Sequence, residues 1–69
     1  MSKPSAYIVF GDGTQLAVSD PYSEIRDAIA AIPIDAVSAW LEVIDAETVK
    51  RIMVNLIAVK FVRQGGMGL

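Results

Sequence analysis

The chain has 69 residues, of which 54% are apolar and 20% are charged, with no Cys or His and a formal net charge of −2. A domain this short buries only about 60% of its unfolded surface, so disulfides, a metal or a partner commonly stabilise it. The lack of Cys and His excludes disulfides and nearly all zinc, haem, iron–sulfur and copper sites. We therefore expect one domain that forms a homo-oligomer and holds no metal or other cofactor.

Membrane and export signals are not expected from the apolar pattern. The longest uncharged stretch of mainly large apolar residues is Ile52–Val59. Its length is far below the roughly 20 residues that a membrane-spanning helix needs. No apolar region of a signal peptide follows residues 1–5. We expect a cytoplasmic protein with no membrane contact, in which residues 1–5 are a flexible arm, 6–63 are a single α+β domain and 64–69 are a flexible glycine-rich tail.

The first predicted element is a β-hairpin centred on Asp12-Gly13. These residues separate two runs that favour strands, Tyr7–Phe10 and Thr14–Val18, and Asp-Gly is a strong signal for a two-residue loop. That loop would place Val9 opposite Leu16 and Tyr7 opposite Val18. We therefore expect these four side chains on the core face, with Ile8 and Phe10 on the other.

A helix is predicted next, from Pro21 to Ile32. Asp20 is a favourable N-cap residue, Pro21 suits the first helical position, and Pro33 disfavours helix beyond Ile32. The helix presents one apolar stripe, which consists of Tyr22, Ile25, Ile29 and Ile32.

The second half of the chain is predicted to form two or three strands. Residues 38–44 and 49–54 read as strands around a turn at 45–48, and 58–62 read as a third strand after a brief break at 55–57. A single bent strand over 49–62 is the alternative. The order β-β-α-β-β-(β) describes an α+β fold with one helix on a small antiparallel sheet of four or five strands.

Charge is divided unevenly along the chain. All eight acidic residues precede Thr48, whereas four of the six basic residues follow it: Lys50, Arg51, Lys60 and Arg63. Basic residues on outer strands discourage edge-to-edge aggregation, which is the interpretation that we favour. Contact of these four residues with the acidic half of another subunit ranks second, and contact with nucleic acid third.

Catalysis is not expected, and no residue is predicted to be catalytic. A hydrolase triad needs His or Cys, and no Ser has the surroundings of a Ser–Lys nucleophile. The carboxylate pairs Asp45/Glu47 and Glu24/Asp27 are expected to be solvated rather than to act as acid and base. The Gly11–Thr14 segment lacks the Lys of a phosphate loop and the repeated oxygen ligands of a calcium loop.

The chain contains more large apolar residues than one small core can bury. The helix stripe and one sheet face account for a core of Tyr7, Val9, Leu16, Val18, Ile25, Ile29, Ile32, Leu41 and Val43. The remainder is predicted to form an interface with a partner: Ile8, Phe10, Trp40, Ile44 and Ile52. Trp40, the only Trp, would be its anchor.

The segment Thr48–Val62 resembles the closing part of Sm-like small β-barrels, and the resemblance extends at most over Leu41–Val62. In that family a strand, a one-turn break and a final strand follow one another. The resemblance implies that the final strand pairs with a neighbouring subunit. Here the helix lies between the second and third strands instead of at the start, Asn55 replaces the glycine at the break, and no RNA-binding residues are matched.

The sequence thus predicts a non-enzymatic module that self-associates and has a structural or regulatory role, with another protein as a further partner. The alternative is a small β module that binds nucleic acid through its basic C-terminal strands, which we favour less.

Overall fold

The computed structural model describes residues 4–65, which form five strands and one α-helix. The elements are β1 (Ala6–Phe10), β2 (Gln15–Val18), α1 (Tyr22–Ala30), β3 (Trp40–Ile44), β4 (Arg51–Asn55), a 3₁₀ turn (Leu56–Ala58) and β5 (Val59–Gln64). The arm and tail predicted at 1–5 and 64–69 lie outside the described residues except for Pro4, Ser5, Gln64 and Gly65. The β1–β5 pairing extends to this end of the domain, since the Gly65 N–H donates to Ser5 O at 2.9 Å.

The strands form two antiparallel sheets, not the single sheet expected from the sequence. One sheet has the order β2-β1-β5, and the other pairs β3 with β4. A bridge between Val18 and Asp45 and a hydrogen bond from Ser19 N to Ile44 O, 2.9 Å, connect the sheets. The fold is therefore α+β, as predicted, with five strands divided three and two.

The register of the first hairpin differs from the prediction by one residue. Phe10 N donates to Thr14 O at 2.8 Å, and Gly13 has φ 94°, so the loop contains three residues, Gly11–Gly13. A three-residue loop that ends in a left-handed glycine is a common alternative to the two-residue turn. Ile8 consequently lies opposite Leu16. Because neighbouring side chains alternate between faces, this shift places a different set of β1 residues in the core.

The core lies between the sheets and α1. Its largest fully buried side chains are Ile8, Val18, Ile25 and Val43. The last three were predicted as core, whereas Ile8 was predicted at an interface. Leu16, Ile29, Ile32 and Leu41 are half-buried against this cluster, as expected. Tyr7 and Val9, predicted as core, instead occupy the opposite face of β1, opposite Ala17 and Gln15.

Asp20 connects two parts of the fold instead of capping the helix. No side chain caps α1, whose N-cap position is Pro21. The Asp20 carboxylate accepts a hydrogen bond from Ile44 N at 2.7 Å. The helix ends at Ala30, two residues before the predicted end at Ile32.

The break between the last two strands is built around Asn55. Its Oδ1 accepts hydrogen bonds from Ile57 N and Ala39 N, each 3.1 Å long, so one amide oxygen holds the 3₁₀ turn and the residue before β3. The two-strand prediction for this segment is confirmed, and a single bent strand is wrong. One edge of β5 pairs with β1 of the same chain.

The β3–β4 hairpin turns through residues 46–49. Asp45 Oδ1 accepts from Glu47 N at 2.8 Å, and Val49 N donates to Asp45 O at 2.8 Å. Val49 closes this loop with φ 60°, the only positive φ outside glycine among residues 4–65. A β-branched residue is poorly suited to that left-handed conformation, so the loop stores strain.

Candidate functional site

The acidic residues of the described chain do not gather into a metal site. Within residues 4–65, no group of three or more acidic side chains is placed to hold a metal ion. Of the two predicted carboxylate pairs, Glu24, Asp27 and Glu47 are exposed. The Asp45 carboxylate accepts a hydrogen bond within the hairpin loop. In the same residues no helix is long and apolar enough to cross a membrane. The surface features that remain are apolar side chains and a groove.

Large apolar side chains are exposed at several places. The most exposed are Ile34, 105%, and Val37, 90%, in the connector between α1 and β3. Trp40 at 60% and Met53 at 57% follow on the β3–β4 hairpin. Among residues 4–65, the remaining exposed side chains of this type are Val49, Ile57 and Phe61. Each exposed apolar group leaves free energy of burial available to a partner.

Only one of the five predicted interface residues is exposed. Trp40 has the expected exposure, whereas Ile8 is completely buried, which corrects its assignment to an interface. Phe10 and Ile52 are half-buried against the core, and Ile44 is half-buried at the end of β3. The one-residue register shift explains Ile8, because it turns this side chain toward the core.

Trp40 and Met53 belong to the outer face of the β3–β4 hairpin, which we call the hairpin face. Leu41 and Val43 alternate toward the core, so Trp40 and Glu42 share the outer side. The Arg51 Nε atom lies 3.5 Å from Glu42 Oε2, an ion pair between diagonal positions of the two strands. Trp40 and Met53 occupy the next pair of diagonal positions, close enough for large side chains to interact. The hairpin face is thus an apolar pair beside an ion pair.

A tight turn presents Ile34 to solvent. The Ala36 N–H donates to Pro33 O at 3.1 Å, so Ile34 and Asp35 are the two central residues of the turn. We call Pro33–Ala36 the Ile34 turn. The sequence prediction treated this segment as a connector and missed it as a surface feature. Its signal was the occurrence of two β-branched apolar residues, Ile34 and Val37, in a segment without strand or helix periodicity.

A groove separates α1 from β5. It has a volume of about 180 Å³ and is lined by Tyr22, Arg26, Ile29, Val59, Lys60, Phe61 and Val62. Its helix wall is one face of α1, because Tyr22, Arg26 and Ile29 follow helical spacing. We call it the α1–β5 groove. It was not predicted from sequence, since it depends on β5 returning to the helix.

The two cations of the α1–β5 groove differ in their surroundings. Arg26 Nη2 lies 3.2 Å from Asp27 Oδ1, and its guanidinium is 6.0 Å from the centre of the Tyr22 ring. Lys60 is exposed and has no ion-pair partner among residues 4–65. The groove therefore offers an apolar floor with one uncompensated positive charge.

The four basic residues predicted to contact an anion lie on different surfaces. Arg51 is on the hairpin face, Lys60 lines the α1–β5 groove, and Lys50 pairs through its backbone with Asp45 at the base of the hairpin loop. The Arg63 guanidinium lies 4.5 Å from the centre of the Tyr7 ring, and Nη2 donates to Gln15 Oε1 at 3.0 Å. The four residues do not form one compact patch.

No known protein family, curated protein or solved structure matches this chain significantly. The geometry described above is therefore the basis for assigning a function.

Proposed function

We propose that this protein is a non-enzymatic, cytoplasmic module that self-associates and acts in a structural or regulatory role, with another protein as a further partner. The observation that carries the proposal is the exposure of four large apolar side chains at and just before the β3–β4 hairpin: Ile34, Val37, Trp40 and Met53. Ile34 and Val37 lie within six residues of Trp40 in the connector that precedes β3.

The size of the molecule supports association. A standard interface covers about 800 Å² of each partner, which is roughly a sixth of the 4668 Å² that this chain exposes. The hairpin face supplies a Trp and a Met, residue types enriched in interface cores, beside the Arg51–Glu42 ion pair. A small apolar centre with charged residues around it is the usual composition of a protein interface.

The division of charge favours contact between unlike parts of two chains. All acidic residues lie in the first two thirds of the sequence, and four of the six basic residues lie in the last third. Two copies that meet through these different regions gain electrostatic attraction, whereas contacts between like regions are disfavoured. We therefore expect salt to weaken the association.

Trp40 allows association to be measured without a label. It is the only Trp and is 60% exposed, so its burial at an interface shifts its fluorescence emission to shorter wavelength. We expect this shift as concentration rises from nanomolar to high micromolar, together with an increase in mass by sedimentation. A constant mass of 7.4 kDa over the whole range would refute the proposal.

The role of the hairpin face is tested with Met53→Ala, which leaves the fluorescent Trp40 in place. Ile57→Ala is the matched control, because Ile57 is also an exposed apolar residue but follows the end of β4. We expect Met53→Ala to weaken association at least five-fold, which corresponds to about 1 kcal/mol. Equal effects of the two substitutions would exclude the hairpin face from the interface.

Binding of single-stranded nucleic acid is the second candidate function. The favouring observation is the outer face of the three-stranded sheet, where Arg63 lies over Tyr7 and the exposed Phe61 is opposite Val9. Aromatic rings beside basic residues are typical of surfaces that stack bases. We expect salt-dependent binding of a fluorescent oligonucleotide, weakened by Arg63→Glu. An unchanged anisotropy at low salt would remove this candidate.

A further inference from the structure

The α1–β5 groove has the chemistry to receive an aliphatic side chain next to a carboxylate. Tyr22, Ile29, Val59 and Val62 supply apolar surface, and Arg26 and Lys60 supply positive charge. An apolar cavity of about 150 Å³ accommodates a molecule the size of benzene. The groove, at about 180 Å³, therefore has room for one branched aliphatic side chain.

The Ile34 turn carries that combination of groups. Ile34 is 105% exposed and contributes nothing to its own core, and Asp35 is the next residue. Within residues 4–65, the Asp35 side chain has no hydrogen bond or ion pair. The hydrogen bond between Ala36 N and Pro33 O holds the turn in shape, which lowers the entropy lost when it binds.

We propose that the Ile34 turn of one chain inserts into the α1–β5 groove of a second copy, with Ile34 against the apolar walls and Asp35 beside Lys60 and Arg26. This proposal rests on self-association and adds a further contact to the one proposed for the hairpin face. The turn and the groove are different surfaces of the same chain. A two-fold dimer therefore contains the contact twice, and a ring contains it once at each junction.

Charge selects this occupant. Trp40, another strongly exposed apolar side chain, is followed by Leu41 instead of an acid. Val37 is 90% exposed and close enough in sequence to cover the rim while Ile34 fills the groove. Within residues 4–65 of its own chain, Lys60 has no acidic ion-pair partner. Asp35 of the second copy would supply one.

The absence of Cys makes site-specific cross-linking a direct test. Full-length Ile34→Cys protein is mixed with full-length Arg26→Cys protein, with oxidised glutathione as the oxidant, and the covalent heterodimer is quantified. The matched control partner is Glu24→Cys, since Glu24 is exposed on the same helix but on the side away from the groove. Thermal unfolding of each variant alone establishes that it is folded.

We expect the Ile34→Cys and Arg26→Cys pair to cross-link at least ten-fold faster than the control pair, because docking raises the local thiol concentration from micromolar to roughly millimolar. Equal rates for the two pairs, while the unmodified protein still associates, would overturn the groove proposal and leave self-association intact. A wild-type protein that stays monomeric would overturn both.

A charge exchange provides a second readout that needs no disulfide geometry. Asp35→Lys and Lys60→Glu are each expected to weaken association at least five-fold, because each places like charges at the contact. A mixture of the two variants is expected to associate more strongly than either alone. In the mixed dimer one contact joins the two introduced charges, which have opposite signs, and the other contact keeps Asp35 beside Lys60. No recovery in the mixture would contradict the pairing of Asp35 with Lys60.

Discussion

Val49 is expected to limit the stability of the domain, because it has a left-handed conformation that does not suit its side chain. An L-residue in this region costs about 1–2 kcal/mol relative to a right-handed conformation. Val49 has φ 60° and is 71% exposed, so its side chain gains little from packing in return. Asn tolerates the left-handed region much better. We therefore expect Val49→Asn to stabilise the protein.

The magnitude follows from strain relief and lost burial. Complete burial of a Val contributes about 1.5–3 kcal/mol, and less than a third of the Val49 surface is covered, which makes the loss at most about 0.9 kcal/mol. Set against the strain, the net gain in the free energy of unfolding is about 0.5–1 kcal/mol. For a domain of this size, 1 kcal/mol raises the Tm by roughly 4–8 °C.

Thermal and urea unfolding of wild type, Val49→Asn and Val49→Ala measure this effect. Ala retains a Cβ atom and so relieves little of the left-handed strain, which makes it the matched control. We expect a higher Tm for Val49→Asn and a value for Val49→Ala within a few degrees of wild type. Equal Tm values for Val49→Asn and wild type, or an equal gain in the Ala variant, would refute the reasoning.

Substitutions at three further positions test other contacts. Gly65→Ala would place a Cβ atom 2.9 Å from Pro4 O, so we expect a loss of about 1–3 kcal/mol in urea unfolding. Asn55→Ala removes the acceptor of two backbone hydrogen bonds and should cost about 1–3 kcal/mol, whereas Asn55→Asp keeps the acceptor and should lose less. Hydrogen bonds from the Thr14 backbone N–H and hydroxyl lower the pKa of Asp12. Thr14→Ala should raise the pKa of Asp12, measured by NMR titration, but leave it below the ordinary Asp value because the backbone donor remains. An unchanged pKa would exclude the Thr14 hydroxyl as a cause.

Local signals predicted the elements well but gave the wrong register for the first hairpin. Gly11-Asp12-Gly13 suits both a two-residue loop at Asp12-Gly13 and a three-residue loop with a left-handed Gly13. The choice between them is made by burial. The three-residue loop places Ile8 in the core and leaves Tyr7 on the outer face. There Tyr7 contacts Arg63 of β5, a strand that is far from β1 in sequence. No residue near the loop carries that information.

Asp20 and Asn55 show why polar residues were only partly interpretable from the sequence. Asp20 lies where an N-cap residue is expected, but Ile44 N is a half-buried donor that needs an acceptor, and Asp20 supplies it. Asn55 was recognised as part of a break in the strand, and its local bond to Ile57 N agrees with that prediction. Its second bond, to Ala39 N, joins segments that are far apart in the sequence.

The candidate interface was predictable only in part. Trp40 was identified because strand alternation separates it from Leu41 and Val43, and that argument is local. The Ile34 turn and the α1–β5 groove were missed. An apolar residue in a connector can either pack against the core or point into solvent. Which of these Ile34 does depends on the tertiary structure, because the core must extend to the connector to bury it. The groove exists only because β5 pairs with β1 and thereby lies beside α1.

The pairing of β5 with β1 has a consequence for how the protein is made. β1 is synthesised before β5, so the central strand of the three-stranded sheet lacks one neighbour until β5 emerges from the ribosome. Joining the two strands closes a loop that contains all the other elements, which is the slow kind of step in β folding. During that interval the open edge of β1 is available to other nascent chains. The three-stranded sheet can therefore be completed only once β5 has been synthesised.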